Sequence, residues 1–468
     1  MALASESNAY AQAATPHRHA PDTAATETPV NARPSAGPPS MGTGLPPSST
    51  AQTPVTGKRI RLEDLEQMAL RRNPALSQAA AGIRTSEALR RQAGMYPNPL
   101  VGYSADEVNG GTVFNYGEHG VFAEQRFVTG GKLGIQRRLA DQDITLARAE
   151  ADAGRFRVLN TVRSLYYQAL GEQRLLTVRT QLAGLARRAV QTTSELANVG
   201  QADRPDVLAV DIEAQRLELG LVQARNALQR TWRQMAAVTG NLQLEPGPLE
   251  GDLEALPNLD FDTELARINE QSPEIRAAQV GTARSDLAIR EARASVIPDI
   301  IARGGLHYNR ERLGVGGQPV GWQGSAEIGI QIPIFNRNQG NIAASRAGAE
   351  RAMFAVERTR LELRSRLASA FREYQDSRAA IERYKTQMIP SAQRAYDLYL
   401  TSFRQMSAAY PQVVITQRNL FQLQEDYVAT LISAWQRVVE IQTLLLTAGA
   451  QASGNELSGP ATFRMSED

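Results

Sequence analysis

Gln125-Arg126-Phe127-Val128-Thr129-Gly130-Gly131-Lys132-Leu133-Gly134 and Gln331-Ile332-Pro333-Ile334-Phe335-Asn336-Arg337-Asn338-Gln339-Gly340 open two stretches that align without a gap over roughly a hundred residues. A shift of 206 positions carries Gln125 onto Gln331, Gly134 onto Gly340, Ala149 onto Ala355 and Gln181 onto Gln387. It also carries Ala186 onto Ala392, Pro205 onto Pro411, Val207 onto Val413 and Leu217 onto Leu423. A period this long lies far outside the roughly 20–50 residues of solenoid repeats. One half-molecule is duplicated, and function has to arise from what two halves build.

Each copy reads as a very long helix, a tight turn and a second helix. Leu175, Val178, Leu182, Leu185, Ala189 and Leu196 keep a 3-4 spacing in the first copy. Leu363, Leu367, Ala370, Tyr374, Ser377, Ile381, Tyr384 and Met388 keep it in the second. A 3.5-residue apolar period makes helices pair as coiled coils. No proline interrupts Lys132 to Leu196, and at about 1.5 Å per residue such a helix spans on the order of 100 Å. That length suits a rod or a wall, not a globular core. Gly184 and Pro390 share a repeat position and predict a kink in both copies.

Composition narrows the classes. With 468 residues, 42 % hydrophobic and 21 % charged, and a net charge of +2, the chain has neither an overall disordered composition nor a nucleic-acid footprint. It has no cysteine, which excludes disulfides, thiolate metal sites and lipidation at cysteine. No run of 18 apolar residues exists, so no transmembrane helix is expected. A soluble protein and a β-barrel membrane protein both remain open.

Residues 1–57 are rich in Ala, Pro, Ser and Thr and read as a disordered tail. Ala11-Gln12-Ala13 has the small-x-small form of a cleavage site and reads as a possible signal remnant, although a basic start and apolar core are missing. His17 and His19 are spaced for weak metal capture or for a solvated tail. The repeats then occupy 58–245 and 246–450, followed by a flexible tail at 451–468. Each opens with a short helix, a polar residue before proline (Asn73-Pro74, Ser272-Pro273) and a second helix; the pair forms an N-cap and first helical position.

Strands are expected at Leu100–Glu107, Val121–Phe127, Asp299–Tyr308 and Ala326–Ile334, with loops around Gly110-Gly111 and from Gly314 to Gly324. In the last strand Ile328, Ile330, Ile332 and Ile334 alternate with Glu327, Gly329, Gln331 and Pro333. This fits a lipid-facing barrel strand or an ordinary half-buried hairpin equally. Phe122 is expected on the lipid side, where Glu124 and Arg126 spoil the pattern. Two hairpins give four strands, whereas membrane barrels need about eight or more. Transmembrane strands therefore require several chains in one barrel; three would supply twelve strands and a twelve-helix cylinder.

At this point the motifs converge. Asn73-Pro74, Ser272-Pro273, Gln125-x-Phe127 running into Gly130-Gly131-Lys132, and Pro333-Ile334-Phe335-Asn336-Arg337-Asn338-Gln339-Gly340-Asn341 resemble the TolC-like outer-membrane efflux proteins over about residues 60 to 450. Pro97-Asn98-Pro99 and the two turns look most like the heavy-metal branch, of cobalt–zinc–cadmium or copper–silver type. The resemblance implies a mainly α fold with a β-barrel part, a homotrimer sharing a twelve-strand barrel in the outer-membrane lipid, and a helical tunnel in the periplasm. It implies a passive conduit served by a periplasmic adaptor and an inner-membrane pump of the RND type. Absent cysteine fits the members without an N-terminal lipid.

The resemblance puts adaptor docking and the gate at Val199, Gly200, Gln201, Gln405, Met406 and Ser407. Asp203 and Asp206 occur only in the first tip; repeated by three they form an acidic ring that favours cations, or they serve the start of the helix. Arg303, His307, Glu327 and Gln331 are lumen-facing candidates. The four histidines (17, 19, 119 and 307) form no metal pair outside the tail, and no phosphate loop or nucleophile elbow occurs. No catalytic residue and no cofactor is expected. Drug efflux or type I protein secretion on the same fold, and a soluble coiled-coil scaffold, are the alternatives.

Overall fold

The computed structural model describes residues 59–108, 117–200, 202–312, 314, 316–405 and 410–446, all within the unit Gly57–Asp468. Its elements repeat in order. The first copy runs α1 (Leu62–Arg72), α2 (Pro74–Ala93), β1 (Leu100–Asp106), β2 (Glu118–Phe127), α3 (Lys132–Asn198) and α4 (Arg204–Thr239). The second runs α5 (Phe261–Gln271), α6 (Pro273–Ala294), β3 (Ile300–Arg312), β4 (Pro319–Ile330), α7 (Gln339–Arg383), a π-helical turn (Tyr384–Met388), α8 (Ile389–Arg404) and α9 (Tyr410–Gln442). The tail histidines His17 and His19, the Gly110-Gly111 loop and the segment 451–468 lie outside the described residues.

α3 is the spine, with 67 residues and therefore about 100 Å of length. It packs on α1, α2, α4, α6 and α9. Its middle holds the main core, where Val162, Tyr166 and Ala169 meet Leu65 of α1, Met235 of α4 and Leu431 and Val438 of α9. A second core joins Ile268, Ile275, Leu363, Leu367 and Ile441. Asn73 caps α2 by accepting from the Ala75 N–H at 2.9 Å, while its amide donates to the Val238 carbonyl at 2.8 Å. Ser272 occupies the matching place in the second copy, yet its buried hydroxyl caps nothing; Asp260 caps the preceding helix instead, at the Thr263 N–H.

The duplicated seam lies inward as the spacing predicts. Leu182, Leu363, Leu367, Ala370, Tyr374 and Ile381 are buried. Met388, the last seam position, is exposed, and the cause lies two residues on. Pro390 has no N–H and its ring crowds the carbonyl four residues back, so the ladder slips by one residue and the Ile389 N–H reaches the Tyr384 carbonyl. The extra residue turns Met388 out of the seam. At the matching position Gly184, α3 keeps an unbroken helical assignment, because glycine keeps the N–H that proline lacks. Glu254, in the connection between α4 and α5, steadies the π turn by binding Lys385 at 2.7 Å and Arg174 of α3 at 3.1 Å.

Tyr374 shows how the seam is tied to the rest. It is 1 % exposed, and its hydroxyl donates to the Pro257 carbonyl at 2.6 Å and receives the Leu259 N–H at 3.4 Å. Tyr374→Phe leaves that carbonyl without its donor at a cost of about 1–2 kcal/mol. Purified Tyr374→Phe protein is expected to denature at a lower temperature than the wild type; an unchanged midpoint counts against a structural role for the hydroxyl.

Among the described residues the four strands form one antiparallel sheet in the order β1-β2-β3-β4, with β1 and β4 as open edges. β4 differs from its expected span. It begins at Pro319, inside the stretch read as a glycine loop, and stops at Ile330. Gln331, Ile332 and Ile334 therefore lie beyond the sheet, where Pro333 has no N–H to continue a ladder.

Candidate functional site

Register assigns every strand residue to a face, since partners directly opposite share one. Val101, Tyr103, Val121, Ala123, Phe127, Ile300, Leu306, Trp322, Ile328 and Ile330 share one face through the pairs Val101↔Ala123, Tyr103↔Val121, Val121↔Leu306, Phe127↔Ile300 and Ile300↔Ile330. Val101, Val121, Leu306, Trp322 and Ile328 are each 59 % exposed or more. A contiguous apolar face of this kind marks a surface that meets something other than water. At the loop end Tyr103 hydrogen-bonds and stacks with His119, and Tyr308 meets Trp322 edge to face; Phe127 and the 91 % exposed Phe335 lie towards the other end. Aromatic residues flanking an aliphatic band form the girdles of an outer-membrane strand wall.

The opposite face is polar. Glu118, Glu124 and Arg126 of β2 lie there, with Arg303, His307 and Asn309 of β3 and Gln323 and Glu327 of β4. Phe122 belongs to this face and not to the lipid side, which reverses the expectation for the first copy and removes its apparent untidiness. Its ring lies over Gly102, where a Cβ would come within 2.6 Å, and the Arg303 guanidinium stacks on it at 3.9 Å. Arg303 and Glu327 are direct partners, and Glu124 is opposite Arg303 on the other side. Three of the four lumen candidates thus share one face; Gln331 is exposed beyond the strand and does not join them.

Sequence reasoning missed the residue that joins sheet to helix. Asp299, just before β3, binds Lys132 of α3 at 2.7 Å, Arg126 of β2 at 2.6 Å and the Thr129 N–H at 3.2 Å. Its carboxylate is only 8 % exposed. Burial pushes its pKa up, but Lys132, the Thr129 N–H and Arg126 outweigh burial and hold it below the usual carboxylate value. A lone Asp after proline gives no pattern to find it by, since its partners are 167 to 173 residues away in sequence.

At the far end of the helices, Val199 is 69 % exposed and ends α3. Gly200 turns the chain with φ 75°, in the left-handed region, and a Cβ there would meet nothing within 4 Å. Asp203 is the N-cap of α4, and its N–H donates to the Asp206 carboxylate at 3.4 Å. The helix-start role of Asp206 is therefore present in the fold, beside any effect on ions. Gln405 ends α8 and is exposed. Gln201, Met406 and Ser407 lie outside the described residues.

The model of the outer membrane efflux protein family matches residues 65–241 and 265–445, one segment in each copy. The cobalt-zinc-cadmium resistance protein CzcC of Cupriavidus metallidurans is 25 % identical over 406 residues, which is 85 % of this chain and 94 % of that protein. Among solved structures, the channel protein CusC superposes with a TM-score of 0.69 at 15 % identity, covering 82 % of this chain and 91 % of its own. The outer-membrane channel OprN gives 0.68 at 21 % identity, covering 82 % and 89 %. Long helices under an open, apolar-faced sheet, with both copies matched, place this chain in the outer membrane efflux protein family.

Proposed function

We propose that three copies of the chain, each divided into repeats at 58–245 and 246–450, form an outer-membrane conduit through which a tripartite pump exports divalent heavy-metal cations. The observation that carries the assembly is the sheet. Its β1 and β4 edges are unpaired among the described residues, and open edges at membrane depth are not tolerated in lipid. Pairing β4 of one copy with β1 of the next closes twelve strands in antiparallel sequence. A stripe on α4 supports the same partner: Leu208, Ile212, Leu219 and Val222 are exposed at helical spacing and find cover on a neighbouring copy.

Transport needs no chemistry from the wall. An inner-membrane pump of the RND type supplies energy, and a periplasmic adaptor packs its hairpins between the tips at Val199, Gly200, Gln201, Gln405, Met406 and Ser407, opening a closed end. Asp203 and Asp206, three times over, hold cations at that entrance. Likeness to CzcC supports the metal reading. The test is envelope fractionation of cells expressing the chain, with export followed in a strain lacking its own copy. Heat-sensitive trimers in the outer membrane and restored zinc, cobalt or cadmium tolerance are expected. Restored drug tolerance or protein secretion without metal tolerance would replace the substrate; a monomer would overturn the assembly.

A further inference from the structure

His307 stands apart from its neighbours on the polar face. Its Nε2 is 3.2 Å from Gln323 Oε1 and 3.4 Å from Glu118 Oε2. Both separations are at or beyond the long end of N–H···O hydrogen bonds, whose range is about 2.7–3.2 Å. One nitrogen therefore faces two oxygens, in a long hydrogen bond with Gln323 and at ion-pair distance from Glu118. Donor atoms around a tetrahedral metal with bonds of about 2.1 Å are spaced about 3.4 Å from one another. His307 Nε2 thus stands at the spacing of a co-ligand from each of the two oxygens.

The surroundings hold the three donors in place. Asn309 is 5 % exposed; its amide nitrogen donates to Glu118 Oε1 at 2.5 Å, and its oxygen receives the Glu311 N–H at 2.7 Å. Glu118 is thereby oriented through one oxygen while the other faces His307, the arrangement that outer hydrogen bonds give to metal-ligating carboxylates. The residue opposite His307 is Gly120. A Cβ there would come within 2.5 Å of the His307 Cβ and 2.6 Å of the Leu306 carbonyl, so only glycine admits the histidine at this place. Asp106 pairs with Glu118 in register and adds a second carboxylate to the same row.

We propose that His307, Glu118 and Gln323 form a binding station for a divalent transition-metal cation of zinc or cobalt type, one per chain, near the outer end of the strand wall. Imidazole with carboxylate selects borderline metals over magnesium and calcium, which take all-oxygen shells. Two ionisable donors and one amide oxygen bind weakly, which suits cargo in passage. The role as a station rests on the export reading above; the binding itself does not.

The test titrates detergent-purified full chain with Zn2+ by calorimetry, and with Co2+ by visible absorption. Both use a His17→Ala/His19→Ala/Asp203→Asn/Asp206→Asn background to silence the tail and the helix tip. One equivalent per chain is expected. His307→Gln is expected to weaken it by more than about a hundredfold and Asn309→Ala by about tenfold, the range of outer-hydrogen-bond losses at metal sites. His119→Gln, on the apolar face, is expected to leave it unchanged. The heat-sensitive oligomer on gels checks folding of each variant. Absent binding, or equal binding in folded His307→Gln protein, overturns the proposal. Lost binding with normal metal tolerance refutes the station alone; intact binding without metal export refutes the export reading alone.

Discussion

Asp299→Ala is expected to lose most of the heat-sensitive oligomer, although the substitution touches neither core nor edge strand. The carboxylate gathers Arg126 at the end of β2, the Thr129 N–H in the following turn and Lys132 in the first turn of α3, so it fixes how the sheet meets the long helix. Lys132 is 18 % exposed, and removing the partner of a largely buried charge costs about 3 kcal/mol or more. Arg126 is 62 % exposed and adds little. Asp299→Asn keeps shape and loses charge, and should fall between. The folded-state pKa is depressed, so the stabilisation is present above the unfolded value of about 4 and is lost as pH falls through the folded value. Wild-type oligomer is expected to weaken below about pH 4, with a smaller drop in Asp299→Asn. Equal acid profiles for the two would refute this account.

What the sequence disclosed and what it hid follow from the range of each signal. The seam through Leu363, Leu367, Ala370 and Tyr374 was readable because a 3.5-residue period repeats over many turns. Its failure at Met388 comes from a single missing N–H at Pro390, which periodicity does not register. Strand faces rest on parity alone, so one residue decides everything. Phe122 looked lipid-facing because it is apolar, but Gly102 leaves room for its ring beneath the Arg303 guanidinium. The isoleucine alternation ran past Ile330 because side-chain pattern continues where Pro333 ends the hydrogen bonds. In the same way glycines at 321 and 324 suggested a loop, while Val320 and Trp322 keep the strand's alternation. Glu118 and Asp299 carried no pattern at all; their partners are brought together only by strand register and by the turn into α3.

Gly200→Glu is expected to reduce export to the level of a strain without the channel while leaving a full complement of heat-sensitive trimers. Two properties of the position separate function from folding. Its φ of 75° strains any side chain, by roughly 1 kcal/mol, and this applies to alanine as much as to glutamate. A Cβ there meets no atom within 4 Å, so neither substitution clashes inside the chain. Gly200→Ala therefore carries the backbone penalty alone and is expected to keep most export. Glutamate adds bulk and a negative charge to a tip that already holds Asp203 and Asp206, on the surface proposed to receive the adaptor hairpin. The comparison between the two variants, assayed side by side for metal tolerance and trimer content, isolates what projects from the tip. If Gly200→Glu is as active as Gly200→Ala, nothing docks closely at this turn, and opening has to be driven from elsewhere on the helices.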